Sequence, residues 1–212
     1  MLLKVEKRWV IAFIITAIVA MVSLFWPTKL PDASSGVFLE ENNLVGADIA
    51  WLLASSGLVL LMTPGLSFFY GGMVGKKNVI STMLQSFIAL GVISLVWVVV
   101  GFSLSFGDSL GFYIGKEHYG IIGNPFSFTF FNQVGVLPHS KMAPTVPFIL
   151  FALFQMKFAV ITPAIITGSF AERVRFVSYL LFIVLFSLFI YAPLAHMVWS
   201  GDGFLVKFFG IK

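Results

Sequence analysis

An all-α, polytopic membrane helix bundle is the fold this sequence predicts, and three observations predict it. Hydrophobic residues make up 59% of its 212 positions and charged residues only 10%, with a mean hydropathy of +1.01. Soluble domains carry about 25% charged residues. Five apolar segments approach the roughly 20 residues that a helix needs to cross about 30 Å of hydrocarbon. Basic residues gather at alternate ends of those segments, the pattern that orients membrane helices. The formal charge of +4 does not point to nucleic acid, because the basic residues sit at the ends of apolar runs. The absence of cysteine excludes disulfides, thiol catalysis and thiolate metal sites. His118, His139 and His196 show no metal-ligand spacing, and His118 and His139 read as solvated loop residues.

The first segment runs from Trp9 to Trp26 behind Lys4, Lys7 and Arg8. Its basic start and apolar middle are those of a signal peptide, but a clean small-x-small cleavage site before Trp26-Pro27 is missing. Ala17 and Ala20 are poorly spaced for it. Residues 1–30 therefore read as a signal peptide or signal anchor rather than a working helix of the bundle.

The second segment spans Ile49 to Tyr70, and Asp48 ahead of it reads as an N-cap. Pro64 lies inside it; a membrane helix tolerates this where neighbours satisfy the freed carbonyl. Gly71 and Gly75 have the spacing that lets two helices approach closely. Lys76 and Lys77 fill a short link to the third segment, Val79 to Phe106. A long loop, Gly107 to Ala143, follows; it is rich in Gly, Asn, Ser and aromatics and looks weakly structured. The fourth segment, Pro144 to Phe170, contains Pro163, and the fifth runs from Phe176 to Trp199. Between them, Glu172 with Arg173 and Arg175 reads as a cap, a topology signal and a weak local ion pair.

If every segment crosses once, Lys4, Lys7, Arg8, Lys76, Lys77, Arg173 and Arg175 all lie on one side. Asp32, Glu40, Glu41, Asp108, Glu117 and Asp202 collect on the other. The amino terminus is then cytoplasmic, and Pro31 to Glu41 and Gly107 to Ala143 face outside.

One stretch stands out, Phe154-Gln155-Met156-Lys157-Phe158-Ala159. Phe154 and Phe158, at i and i+4, share a helix face, and Gln155 lies close to it. A polar amide in an apolar span needs a partner or a cavity. Taken alone, the stretch is a core helix with a snorkelling lysine; the rest of the chain favours an aromatic constriction lining a pathway. Lys157, near the middle of its span, would cost roughly 2.5–3.5 kcal/mol at bilayer centre. It must face a wet cavity, a subunit interface or a carboxylate from elsewhere. Trp199, at the outer end of the fifth segment, fits the aromatic belt by position. It also fits a ring that attracts a monovalent cation through its face.

Several motifs, in order, resemble the ammonium transporters (the Amt/Mep/Rh family). Gly46-Ala47-Asp48 through Trp51, Thr63-Pro64-Gly65, Phe69-Tyr70-Gly71-Gly72 and Lys77-Asn78-Val79 look like its first membrane helix and first link. Trp97 through Gly101-Phe102-Ser103-Leu104 and Phe106-Gly107 look like the end of its second. Phe154-Gln155-x-x-Phe158-Ala159, Ala171-Glu172-Arg173 and Ala195-His196-Met197-Val198-Trp199 look like its third and fourth. Residues 46–212 would form a partial domain, with a second half outside it.

The resemblance implies a homotrimer in the plasma or inner membrane, each subunit with its own narrow pore between pseudo-twofold halves. It assigns Trp199 to ammonium recruitment in the outer vestibule, Phe158 to a gate, and Phe154 and Gln155 to the vestibule lining. Ammonium or methylammonium would be the substrate and the lipid bilayer the surroundings, with a cytoplasmic regulatory protein as a possible partner; no cofactor and no metal are implied. The ion would lose its proton and cross as neutral ammonia, because a charge pays heavily to enter hydrocarbon. An Asp-Phe-Ala-Gly-Gly stretch would follow Lys212, and that aspartate, the pore histidines and the second gate phenylalanine all belong to it and the second half. A transport path would then need another polypeptide to complete it. Two other readings remain: an ammonium sensor, and a nonfunctional truncated product. A membrane enzyme is disfavoured, because no span carries a carboxylate pair, a histidine cluster or a nucleophile beside a base.

Overall fold

The structure, a computed structural model, describes residues 7–210, with the side chains of all but residues 7–9 and 12. Lys4 and the side chains of Lys7 and Arg8, part of the expected amino-terminal charge cluster, therefore lie outside the described residues. Helix α1 (Lys7–Phe25) is followed by an irregular segment and then α2 (Gly46–Met73). Three more long helices are α3 (Val79–Phe106), α4 (Phe148–Phe170) and α5 (Phe176–Trp199). A short α6 (Phe204–Phe209) comes last. Helices α2 to α5 are each long and apolar enough to cross a membrane. The fold is thus the expected all-α membrane bundle, with α3 packed against α2, α4 and α5.

Proline chemistry moves one boundary. Helix α4 begins at Phe148, not Pro144. Pro147 has no N–H and forces the residue before it into extended backbone, so no helix can run through this stretch. Helix α2 begins earlier than expected, at Gly46, with Val45 at the cap. Asp48 is therefore not the N-cap; it sits in the first turn, where a carboxylate faces the positive end of the helix dipole. Gly71 is buried, and a side chain there would strike Met83 at 2.8 Å, which is the expected close helix approach. Gly75 instead lies past the end of α2.

The long loop is not weakly structured. Strands β1 (Ser109–Ile114) and β2 (Glu117–Gly123) form an antiparallel hairpin. Its two-residue turn begins at Gly115, whose φ of +65° few side chains tolerate. His139 is not solvated either: it is 5% exposed, with its ring 4.8 Å from Phe148 and 5.5 Å from Phe38. Its Nδ1 accepts from the backbone N–H groups of Lys141 and Met142. Burial, and then the charge of Lys141, hold its pKa below the usual histidine value.

Two short links, residues 74–78 and 171–175, meet at the opposite end. Glu172 Oε1 accepts from the Gly75 N–H and from Asn78 Nδ2, each at 2.9 Å. Glu172 is thus a clamp between links rather than a local partner of Arg173 or Arg175. It holds φ at +65°, a left-handed conformation that is costly for a residue with a side chain. The shared clamp places Lys76, Lys77, Arg173 and Arg175 at one end of the bundle, as the charge parity requires.

Helices α3 and α5 each contain one five-residue π-turn, Trp97–Gly101 and Ser187–Tyr191. The two turns face one another: the Trp97 and Tyr191 rings are 6.3 Å apart. Wide turns of this kind recur at functional sites because they re-aim side chains. Beyond Trp97 lies an aromatic core centred on Phe102, whose ring centroid is 5.4–5.5 Å from those of Phe106, Phe128 and Phe148. This core sits below the hairpin and supports the site described next.

Candidate functional site

At the hairpin end, α3, α4 and α5 bring their aromatic residues into one chain of contacts. Phe154 and Phe158, one turn apart on α4, meet edge to face at 5.1 Å and 77°. Phe158 in turn meets Trp199 at 6.3 Å and 66°. Trp199 lies parallel to Phe106 at the end of α3, at 6.2 Å and 6°. Phe106 is 5% exposed, while Trp199 is 46% exposed. One face of the indole is therefore backed by protein and part of the ring is open.

The residues singled out from sequence thus come together from two helices. Gln155 occupies the next position on α4, and its side-chain oxygen is buried without a hydrogen-bond partner among the described residues. An acceptor left bare in an apolar wall costs about 1–3 kcal/mol unless water or a ligand meets it. Phe106 was not singled out for this site, and no local spacing marks it; its role arises where α3 ends against α5.

Lys157 takes the snorkelling pose that its helix alone suggests. Its Nζ donates to the Leu153 carbonyl at 2.9 Å, one turn back along its own helix. The ammonium therefore snorkels toward the hairpin end. Helical spacing places Lys157 a quarter-turn or so away from Phe158, off the aromatic stripe.

A polar lid closes over the end of α5. Lys207 Nζ meets Asp202 at 2.9 Å and Glu117 at 3.8 Å, and donates to the His118 carbonyl at 2.9 Å. The bond to Lys207 holds the Asp202 carboxyl below its ordinary value, and the same bond raises the Lys207 ammonium. Gly120 of β2 donates to the Asp202 carbonyl at 2.7 Å. His196, also missed as a functional residue, is wholly buried beneath this lid. Among the described residues no group of three His, Cys, Asp or Glu could hold a metal ion.

Four membrane-length helices, two of them carrying π-turns, around an aromatic mouth define a multi-pass helical membrane protein. Within that class, the chain belongs to the Ammonium Transporter Family, whose profile matches residues 50–211. It is 42% identical over 171 residues to an ammonium transporter of Mycobacterium tuberculosis, covering 76% of this chain and 35% of that protein. An ammonium transporter of Bacillus subtilis is 45% identical over 154 residues, covering 73% and 35%. The crystal structure of Candida albicans Mep2 superposes with a TM-score of 0.67 at 29% identity, covering 79% of this chain and 34% of that one. A structure described as a sensor Amt protein gives a TM-score of 0.62 at 27% identity, covering 74% and 36%. The chain spans about a third of the length of these relatives, and what it shares with them is the first half of the Amt/Mep fold.

Proposed function

We propose that this chain builds the entry side of an ammonium pathway across the cell membrane. Trp199 recruits the cation, Phe158 gates the way down, and Phe154 and Gln155 line the approach. The observation that carries this reading is the pose of Trp199, supported on Phe106, edged by Phe158 and open on part of its ring. An aromatic face attracts ammonium by about 0.5–2 kcal/mol, more as water is excluded. Gln155, beside Phe154 in sequence, carries a buried amide oxygen with no hydrogen-bond partner among the described residues, an acceptor for the ion once water or ligand enters beside it. The apolar wall beyond Phe158 rejects a charge, so the ion hands its proton to water in the vestibule, which becomes hydronium and returns to bulk, and continues as neutral ammonia.

In this reading residues 46–212 supply the family's first four membrane helices, and further polypeptide completes the pore in a homotrimer. The link end, with Lys76 and Arg173, is cytoplasmic, as is the amino terminus, and residues 1–30 serve as a signal peptide or anchor. A cytoplasmic regulatory protein would meet that basic end. Apart from that proton transfer no covalent step enters, and neither does a cofactor or nucleic acid. Because the chain has no cysteine, single cysteines at positions 76 and 173 test the sidedness: labelling by an impermeant reagent added outside would overturn it.

The functional test is methylammonium uptake into vesicles carrying the transporter completed by that further polypeptide. Uptake should be saturable and should collapse in the double variant F158A/W199A; wild-type uptake by that variant refutes the site. The similarity to a sensor Amt protein favours one second reading, in which ammonium is bound and reported rather than carried. Binding of methylammonium without uptake would select it.

A further inference from the structure

His196 is wholly enclosed, yet both ring nitrogens are engaged. Nδ1 lies 3.1 Å from the Ser105 carbonyl oxygen, and Nε2 lies 2.8 Å from Ser109 Oγ. A carbonyl can only accept, so Nδ1 carries the hydrogen. The neutral ring then accepts at Nε2, and the Ser109 hydroxyl donates to it. Two bonds from two different segments fix both the tautomer and the ring plane.

What these bonds hold is the end of α5. Ser105 immediately precedes Phe106, the ring on which Trp199 lies. The same two-residue segment thus grips α5 twice, by the Ser105 carbonyl on His196 and by the Phe106 ring on Trp199 one turn later. Helix α5 stops there: the Ser200 N–H donates to the His196 carbonyl at 3.1 Å. Strand β2 closes above, since a Cβ on Gly120 would stand only 3.0 Å from His196 Nε2.

We infer that His196 is a positioning residue for Trp199, fixing where the indole stands against Phe106 and Phe158 and so how well an alkylammonium ion binds on its open face. The affinity part of this inference rests on the proposed function; the placement part does not. A histidine that merely fills the core would tolerate loss of one polar bond without moving Trp199.

The test uses the full chain in lipid nanodiscs, labelled with 5-fluorotryptophan and followed by fluorine NMR. The Trp199 signal is assigned with W199F, and methylammonium chloride is the titrant. Three variants are compared: S109A removes only the hydroxyl donor, H196L removes both bonds, and H196N retains an N–H for the Ser105 carbonyl. In S109A the Trp199 resonance should move while that of Trp51 stays, and the methylammonium midpoint should rise roughly fivefold, as for one lost hydrogen bond. H196L should raise it further, and H196N should recover part of the loss. An unmoved Trp199 resonance in both S109A and H196N, with wild-type midpoints, overturns the inference even if H196L fails to fold. If wild-type Trp199 ignores methylammonium altogether, the recruitment role falls, while the resonance shifts still decide the positioning.

Discussion

The Tyr179 hydroxyl of α5 donates to the Gln85 carbonyl of α3 at 3.2 Å and, its hydrogen committed there, accepts from Thr167 Oγ1 of α4 at 3.0 Å. Three helices are thereby joined at one fully buried phenol. Between membrane helices, where lipid is as apolar as leucine, such polar contacts and close packing replace the hydrophobic drive. Y179F keeps the ring and removes the junction. It should destabilise the bundle by about 1–2 kcal/mol, seen as a lower Tm in detergent. T167V should cost less, because Tyr179 keeps its bond to Gln85. A wild-type Tm in Y179F would mean that the ring packing alone sets this junction.

The Glu172 clamp carries a pH signature. Its carboxyl is held below the ordinary 4.5, first by the Asn78 amide and then by the Gly75 N–H. A lowered native pKa means that the unfolded chain binds the proton more readily. The clamp therefore contributes fully above the unfolded value and is lost as pH falls through the native one. E172Q keeps an acceptor oxygen that does not titrate. Above pH about 5.5 the Tm curves of wild type and E172Q should run parallel, and below 4.5 the wild type should fall away from E172Q. Curves that stay parallel down to acid pH would show that the carboxylate does not hold the links.

The lid should open locally when Lys207 is neutralised. Its bridge to Asp202 is present in full between the ordinary carboxyl value of 3.8 and the ordinary lysine value of 10.5. The aspartate arm is lost as pH falls through the lowered Asp202 value, and the lysine arm as pH rises through the raised Lys207 value. K207Q should speed hydrogen exchange of the Gly120 amide roughly tenfold at neutral pH, since that amide bonds to the Asp202 carbonyl. E117Q should change it little, because that contact is 3.8 Å long and its carboxylate side chain 68% exposed. Equal effects of the two variants would refute Lys207–Asp202 as the holding contact.

The long-range contacts explain which parts of this fold were legible in the sequence. Spans α2 to α5 and the basic ends follow from apolar run length and charge position, both local quantities. Phe154 and Phe158 meet because helical spacing demands it. Trp199 could be placed beside them only through the family resemblance, since two different helices carry them. Glu172 was misread as a local cap because its partners are 97 and 94 positions away. The burial of His196 depends on Ser105, 91 positions back. The hairpin had a local signal after all, aromatic and β-branched residues on both sides of Gly115-Lys116 (Phe112, Tyr113 and Ile114; Tyr119, Ile121 and Ile122), which the richness of the loop in glycine and asparagine obscured.

Lys157 gives the prediction with the clearest sign. Reaching back to the Leu153 carbonyl, its ammonium is directed toward the hairpin end from its own Cα. That lowers the cost of a charge in the membrane without removing it, and an ammonium has three hydrogens to satisfy. K157M keeps the unbranched stem and its packing and removes the charge. It should therefore raise stability by about 1–2 kcal/mol, read as a higher Tm in detergent. K157A should gain less, because it also loses the stem. A lower Tm in K157M would reverse the argument: the lysine would then have a carboxylate partner in the assembled protein, and removing it would strand that acid in the membrane.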